Sequence, residues 1–434
     1  MPLKIAIVGA GPAGCCLARL LHVKNPDIQT TIFESEGAIN FRSQGGTLDL
    51  HVKSGQLALR EAGLFDEFQK FARYDGEALQ IADKNFLRYV AFSGGSGKST
   101  STGRPEIDRP VLREILYRSL PEGAVQWNKK LKEVKREGDE LKLCFADGSV
   151  AHGYDLIVGA DGAWSKTRSL ISDAKPFHSG VGGHQMSISD AKKRYPALSD
   201  AVRRGSLFSW SDGKGIFAQQ MGDGSLSIGT WSAHSSDWQQ TIGYDVKDPK
   251  AVKEACKQEY AGWHPTLRAF VQEADDDSIY PRDLAMLPIG HRWDHVPGVT
   301  MIGDAAHVMT PFAGEGVNLA LSDCVNLAEA IVSAAATIPE NANDNPNNTT
   351  SQAAAGTPLD IKVRTFEEDM FKRATMYQQQ TYDMMGFMFF QPGSPRTNIE
   401  RYILRVGEDE LGYWLTMLAT PLVYAWYFVF RLIW

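Results

Sequence analysis

The fold is decided in the stretch Lys4-Ile5-Ala6-Ile7-Val8-Gly9-Ala10-Gly11-Pro12-Ala13-Gly14. Lys4 to Val8 is a short apolar run closed by glycine, the pattern of a buried parallel strand. Gly9-x-Gly11-x-x-Gly14 follows, and a helical stretch continues to about Leu21. Thr30-Thr31-Ile32-Phe33-Glu34 reads as a second strand, so the segment opens as a βαβ unit. In such a unit the first glycine permits a tight turn, the second lets a pyrophosphate approach the backbone, and the third packs helix against strand. The unpaired N–H groups of the first helical turn, which includes Ala13, then face the phosphates. Glu34, 20 residues after Gly14, can accept hydrogen bonds from ribose hydroxyls. Gly9, Gly11, Ala13, Gly14 and Glu34 therefore predict a dinucleotide site.

The rest of the chain has ordinary globular composition: 434 residues, 43% apolar and 22% charged. That length corresponds to two or three domains. Lys plus Arg is 45 against 52 Asp plus Glu, a net charge of −7. This argues against a nucleic-acid partner, which calls for a basic surface. The five cysteines (Cys15, Cys16, Cys144, Cys256, Cys324) are scattered, with no metal-ligand spacing. They read as free thiols in a reducing compartment, and no metal is expected. The first residues run straight into a strand pattern without a basic n-region, so no signal peptide is expected and the location reads as cytoplasmic.

Two further strand-turn-helix motifs lie far downstream. One is Asp155-Leu-Ile-Val-Gly159-Ala160-Asp161-Gly162, continuing to Arg168; the other runs from Gly298 through Gly303-Asp304-Ala-Ala-His307 to Phe312-Ala-Gly314-Glu315-Gly316-Val317-Asn318. Asp304, at a strand end, can bind a ribityl hydroxyl. The helix predicted from Gly316 and Val317 would turn its positive end toward a flavin ring, where reduced flavin carries negative charge. Between the motifs, Ser206 to Trp231 alternates apolar and polar residues and predicts an antiparallel sheet. The resulting expectation is an α/β chain. A discontinuous Rossmann-like nucleotide domain occupies 1–75, 100–175 and 280–335, and an inserted antiparallel-sheet substrate domain occupies 76–99 and 176–279. Residues 337–358, rich in Asn, Ala, Thr and Pro, read as a mobile insert, and 359–434 as C-terminal helices with a hydrophobic tail.

Taken in order, the three motifs resemble those of the group A FAD-dependent aromatic hydroxylases. Arg42-Ser-Gln-Gly45-Gly46-Thr47-Leu48-Asp49, Ile107-Asp108-Arg109 and Met309 to Asn318 are most similar to the tetracycline-inactivating flavin monooxygenases. The likeness covers about residues 3 to 335. It implies FAD bound by Asp49, Arg109, Asp161, Asp304, Gly314, Gly316, Val317 and Asn318 together with the first motif. It implies NADPH engaged by Arg42, and a substrate pocket lined by Gln185 and Phe312. The implied chemistry is reduction of FAD by NAD(P)H, activation of O₂, and transfer of one oxygen atom to an electron-rich ring. A fused-ring phenol or polyketide-like compound, met in biosynthesis or detoxification, is the implied substrate class. No general acid or base is assigned. Ser35, Glu315 and Ser227 depart from the family pattern, which has an arginine, a glutamine and a histidine there. Other classes left open are a flavin-dependent reductase or halogenase and a non-catalytic flavin-binding, membrane-associated protein.

Some patterns are discounted. Gly94-Gly-Ser-Gly97-Lys98-Ser99 has Phe92 where the first P-loop glycine belongs, and His291, Arg292 and His295 read as surface loop. Residues 411–430 carry only Asp/Glu/Lys/Arg-free sequence, with Trp414 and Trp426 inside it and Trp434 beyond. Pro421 after Thr420 predicts two short apolar helices rather than one. These either pack on the protein or attach it peripherally to a membrane.

Overall fold

The computed structural model describes residues 2–39, 45–95, 103–337 and 356–434. Arg42, most of the P-loop lookalike and most of the 337–358 insert lie outside the described residues.

Five parallel strands form the first sheet, in the order Val299–Met301, Leu156–Gly159, Lys4–Val8, Gln29–Phe33, Val125–Gln126. They come from widely separated parts of the chain. Each central strand is buried on both faces, as continuous apolar runs require: Ile5, Ile7, Ile157, Val158 and Met301 are fully buried. Helices Pro12–Lys24 and Gly316–Thr337 pack on one face, where Ile5 and Ile7 meet Leu17, Leu21, Leu321 and Cys324. On the other face Ala6, Val8 and Phe33 meet Val134, Leu143 and Phe145 of a small antiparallel sheet. All five cysteines are free thiols.

The second sheet has seven strands, ordered Tyr280–Met286, Phe177–Ile188, Leu226–Ala233, Lys214–Gln220, Ser206–Ser211, Leu79–Ala82, Arg88–Phe92. Neighbours are antiparallel except Ser206–Ser211 beside Leu79–Ala82, which is parallel. The strand Tyr280–Met286 belongs to this sheet, past the boundary expected at residue 279, because it covers what would be an open edge of Phe177–Ile188. Alternation divides the sheet into two faces. Met186, Leu207, Ile216, Ala218 and Ile228 pack against helices Pro249–Glu259 and Pro265–Gln272. The opposite face presents Phe208, Trp210, Phe217 and Trp231 to Phe312 and to Met384, Met388 and Phe389 near the end of helix Pro358–Met385.

Helix Pro358–Met385 ties the C-terminal section to the nucleotide domain. Its buried Glu367 accepts hydrogen bonds from Thr300 Oγ1 (2.8 Å) and Trp293 Nε1 (3.1 Å) and pairs with His295 Nδ1 (2.8 Å). His295 is thus no surface residue; its side chain is 4% exposed. The loop was misread because the carboxylates that bury it arrive from a helix more than 60 residues later. His291 is also engaged, with one ring nitrogen 2.9 Å from the Ala306 carbonyl and the other 2.9 Å from Ser172 Oγ. The tail forms one helix, Tyr413–Ile433, with Pro421 inside it, rather than two. Proline forfeits one backbone bond, and the Thr420 hydroxyl turns back to the Thr416 carbonyl (2.9 Å) instead of capping a new helix.

Candidate functional site

The three motifs converge at the carboxyl ends of the parallel strands, where open α/β sheets bind ligands. Gly9 has φ +104°, and a Cβ on it would collide with the Ala160 carbonyl, so the first and second motifs touch only because this residue is glycine. A Cβ on Gly14 would collide with the Gly9 carbonyl. A Cβ on Gly11 or Gly316 would meet nothing within 4 Å. Both positions stand at helix starts and border open space, the arrangement an anionic or electron-rich group needs to reach backbone N–H groups. Gly303, at φ +60°, turns the third motif so that Asp304 begins a short helix, with Ala13 3.5 Å from where a Gly303 Cβ would be.

Glu34 follows the second strand and is buried. Its Oε2 accepts the Ala10 N–H (2.7 Å) and its Oε1 accepts the Glu36 N–H (2.9 Å) and the Ser35 hydroxyl (2.9 Å). Arg113, also buried, grips the same loop. Its Nε donates to the Ala10 carbonyl (2.9 Å), its Nη1 bonds Glu36 (2.9 Å), and its Nη2 lies 3.9 Å from Glu34. Sequence reading assigned Arg113 no role of its own. Its signal was the i, i+4 spacing from Arg109 on one helix face.

Two predicted residues organise the site with their side chains. Asp161 accepts bonds from Ser165 Oγ (2.6 Å) and the Lys166 N–H (2.8 Å), which shapes its own turn. Asn318 Oδ1 accepts the His51 N–H (2.9 Å) and Ser54 Oγ (3.1 Å), while its Nδ2 donates to the Asp49 carbonyl (2.9 Å). Asn318 thereby fastens the start of helix Gly316–Thr337 to the loop after Thr47–Asp49, leaving its backbone for a ligand. Val317, beside it, is partly buried against the core. Gly314 has φ +73°, and a Cβ there would stand 3.4 Å from Asp49 Oδ1.

Behind Asp49 is a carboxylate the sequence reading passed over. Glu106 faces Asp49 in the strand pair Thr47–Asp49 with Glu106–Asp108 and accepts the Thr47 hydroxyl. Burial, followed by the charge of Asp49, pushes its carboxyl up to about 8. His51 was passed over too. It lies 3.0 Å from Asp49 and 3.6 Å from Glu315.

Arg109 is the site's principal cation. Burial draws its pKa down, Asp304 opposes that, and Arg282 on the edge strand adds to it, so the three charges share one locality. The Arg109 guanidinium has no hydrogen-bond partner among the described residues, and Asp304 is exposed. A fork of free donors beside an exposed carboxylate can bind a phosphate or carbonyl on one side and a hydroxyl on the other.

Of the residues expected at the substrate, Gln185 lies on the aromatic face of the second sheet and Phe312 packs against that face. Gln185, Gly229 and Phe217 lie in one row across three adjacent strands. Gln185 is half-buried and donates to Ser227 Oγ (2.9 Å). The Trp231 indole covers Gly229, where a Cβ would come within 2.5 Å of its nitrogen. The Phe312 ring lies 6.2 Å from Phe217 and 5.1 Å from Phe389. Gln185 and Phe217 are thus about 10 Å apart, two strand spacings, with an indole between them. Among the described residues no group of acidic, cysteine and histidine side chains could hold a metal ion.

Two helix starts bordering open space, an arginine unpaired among the described residues and a buried carboxylate at the second strand's end fit the pyrophosphate, ring and ribose of FAD. The family described as "FAD binding domain" matches residues 3–351. The chain is 31% identical over 379 residues to the monooxygenase asqM of Emericella nidulans, covering 76% of this chain and 83% of that one. A putative FAD-containing monooxygenase from Photorhabdus luminescens superposes with a TM-score of 0.71 at 24% identity, covering 89% and 99% of the two chains. The tetracycline destructase Tet(51) superposes with a TM-score of 0.65 at 16% identity over 97% of each chain. The chain belongs to the FAD-binding-domain family and is an FAD-dependent monooxygenase of the aromatic-hydroxylase type.

Proposed function

We propose that this enzyme hydroxylates a fused-ring aromatic or polyketide-like small molecule, using NADPH as electron donor and O₂ as oxidant, in the cytoplasm. The observation that carries the substrate class is the row Gln185–Gly229–Phe217. It is roofed by Trp231 and Phe312 and is aromatic except for one amide and one glycine, and Arg282, on the edge strand of the same sheet, acts electrostatically on Arg109. When bound, FAD supplies two-electron chemistry with O₂: one oxygen atom enters the substrate, the other leaves as water, and NADPH and a proton are consumed.

The chain's own residues bind, orient and exclude water. In this reading Gly9, Gly11, Ala13 and Gly14 admit the pyrophosphate and Glu34 meets the ribose. Asp304 holds a ribityl hydroxyl, Asp49 reaches the cofactor from the strand after the glycine loop, and Arg109 reaches it from the start of helix Arg109–Arg118. Gly316, Val317 and Asn318 offer backbone N–H groups to the ring after the turn at Gly314, whose own N–H bonds the Pro311 carbonyl, and Asp161 sets the turn of the second motif. Arg42 is proposed for NADPH from its place in the motif. Gln185 fixes a substrate oxygen through its amide, while Trp231, Phe217 and Phe312 clamp the ring faces and keep water away.

The test is NADPH oxidation against a panel of fused-ring phenols and aromatic polyketides, with product mass read for one added oxygen atom. Gln185→Leu is expected to raise KM about tenfold, as for one lost hydrogen bond in a partly dry pocket, with the flavin spectrum unchanged. Consumption of NADPH that no ring compound stimulates, yielding only hydrogen peroxide, would contradict the substrate class.

A further inference from the structure

Helix Tyr413–Ile433 turns its polar side chains toward the protein and a wholly apolar face toward the outside. Thr416, Thr420, Val423, Tyr427 and Arg431 recur every three or four residues and form its inner stripe. Thr416 and Tyr427 are each 5% exposed. The Tyr427 hydroxyl donates to the Tyr89 carbonyl (2.8 Å). Arg431 donates to the Arg396 carbonyl (2.6 Å) and pairs with Glu400 (2.5 Å). On the outer side Trp414, Leu418, Leu422, Trp426, Leu432 and Trp434 are each at least 67% exposed. With their neighbours they leave on the order of 1,000 Å² of apolar surface, where the largest patch on a soluble monomer is about 300–600 Å². The other long apolar helix, Gly316–Thr337, is core.

We propose that this outer face seats the enzyme on a phospholipid bilayer, with the helix lying in the membrane plane rather than crossing it. Charge and amide groups are absent from the outer face, whereas a protein partner would be met by a polar rim. Trp414, Trp426 and Trp434 are spread along the whole outer face rather than gathered at two levels, and an indole is favoured where headgroups meet hydrocarbon. The helix is about 31 Å long, enough to span, but its docking contacts run from Thr416 to Arg431, about 22 Å along its axis. A crossing helix would draw Glu400, Arg396 and the edge strand Arg88–Phe92 into hydrocarbon with it, at prohibitive cost. A helix in the plane sinks only its outer side chains, about 5–10 Å deep. Val423, Tyr427 and Phe430 also pack in the same cluster as Trp210, Trp231 and Phe312. The lipid-facing helix is therefore continuous with the aromatic face of the second sheet. The seating does not depend on which ring compound is oxidised.

The test is flotation of the full-length, FAD-loaded protein with phosphatidylcholine vesicles, with and without phosphatidylserine. Wild type is expected to float with both. The triple variant Leu418→Ser, Leu422→Ser, Trp426→Ser is expected to float at least about tenfold less, with an unchanged flavin spectrum. Tyr427→Phe, on the inner stripe, is expected to float like wild type. Spin labels on Leu415→Cys, Leu422→Cys and Val429→Cys should report one common depth. A wild-type protein that stays out of the vesicle fraction overturns the proposal, as does a triple variant that floats like wild type. So does a depth that peaks at residue 422, which describes a span. A wild-type dimer that the triple variant dissociates, with neither floating, assigns the face to a second copy instead.

Discussion

Gly11 differs from its two neighbours in the motif in what a methyl group would meet. On Gly9 or Gly14 it strikes backbone; on Gly11, at φ −76°, it points into open space. Gly11→Ala is therefore expected to leave the apoprotein as stable as wild type or about 0.4–1 kcal/mol more stable, through a less flexible unfolded chain. The same methyl occupies the approach of a pyrophosphate, so FAD affinity should fall at least about tenfold, or 1.4 kcal/mol. Fluorescence titration of apoprotein with FAD, beside apoprotein melting, separates the two effects; a loss of both would mean the glycine is structural. Glu106 makes a second case. Its carboxyl is protonated more readily in the folded chain than in the unfolded, about 8 against an ordinary 4.5. The folded state thus binds the extra proton, and this stability is present below pH 4.5 and is lost as pH rises toward 8. Glu106→Gln keeps an oxygen for the Thr47 hydroxyl and removes the charge. It should raise the melting temperature at pH 8 while changing it little at pH 4.5; equal shifts at both pH values would refute the assignment. The turn at the three glycines and the place of Glu34 just after the second strand were legible because they sit in one short motif with fixed spacing. Glu106, His51 and Arg113 were not, because their roles come from burial against residues far along the chain.

Elements were legible where one local pattern decides them. The opening βαβ unit, the strands ending at Gly159 and Met301 and the helix from Gly316 follow from apolar runs closed by glycine. The tail was misjudged because Pro421 was weighed alone, whereas the apolar residues on both sides favour an unbroken helix. The loop at His295 was misjudged because its partners lie on helix Pro358–Met385. That helix yields a prediction. Asp360, 3.9 Å from His295 Nε2, and hydrogen-bonded Glu367 hold the imidazole charged, raising it to about 9 from an ordinary 6.5. The extra proton is bound in the folded state, so this stabilisation is complete below pH 6.5 and is lost as pH rises through 9. Its contribution is about 1–3 kcal/mol, the range for hydrogen bonds to charged groups. His295→Gln should flatten the fall in melting temperature between pH 6.5 and 9, and a fall as steep as wild type's would show that the clamp carries no charge. Asp360, lowered to about 2 chiefly by His295, works in the opposite direction and only in acid.

At the scale of the molecule, the three motifs proposed to hold FAD come from distant stretches of chain, at residues 9–14, 155–168 and 298–318, which the parallel sheet brings together at the carboxyl ends of neighbouring strands. A ligand bound across all three stabilises their union by mass action, about 2.7 kcal/mol at a hundred times its Kd. Acid removal of FAD, which should release it because no covalent link is expected, is thus predicted to lower the apparent melting temperature by roughly 3–8 °C. Readdition should restore it. The tail helix enters this balance differently. Its inner stripe covers Tyr89 and packs Val423, Tyr427 and Phe430 in the cluster that holds Phe312, whereas every residue proposed to hold FAD lies at or before 318. Removing residues 413–434 should lower the melting temperature of apo and FAD-loaded protein alike, by the burial lost around Tyr89 and the ion pair lost at Glu400. The difference between the two forms should stay intact. Gly11→Ala should do the reverse, leaving the apoprotein's melting temperature unchanged while shrinking the FAD-induced rise. If truncation instead abolishes the FAD-induced rise, the tail is part of the nucleotide domain's cooperative unit, and the separation of cofactor binding from the outer helix fails.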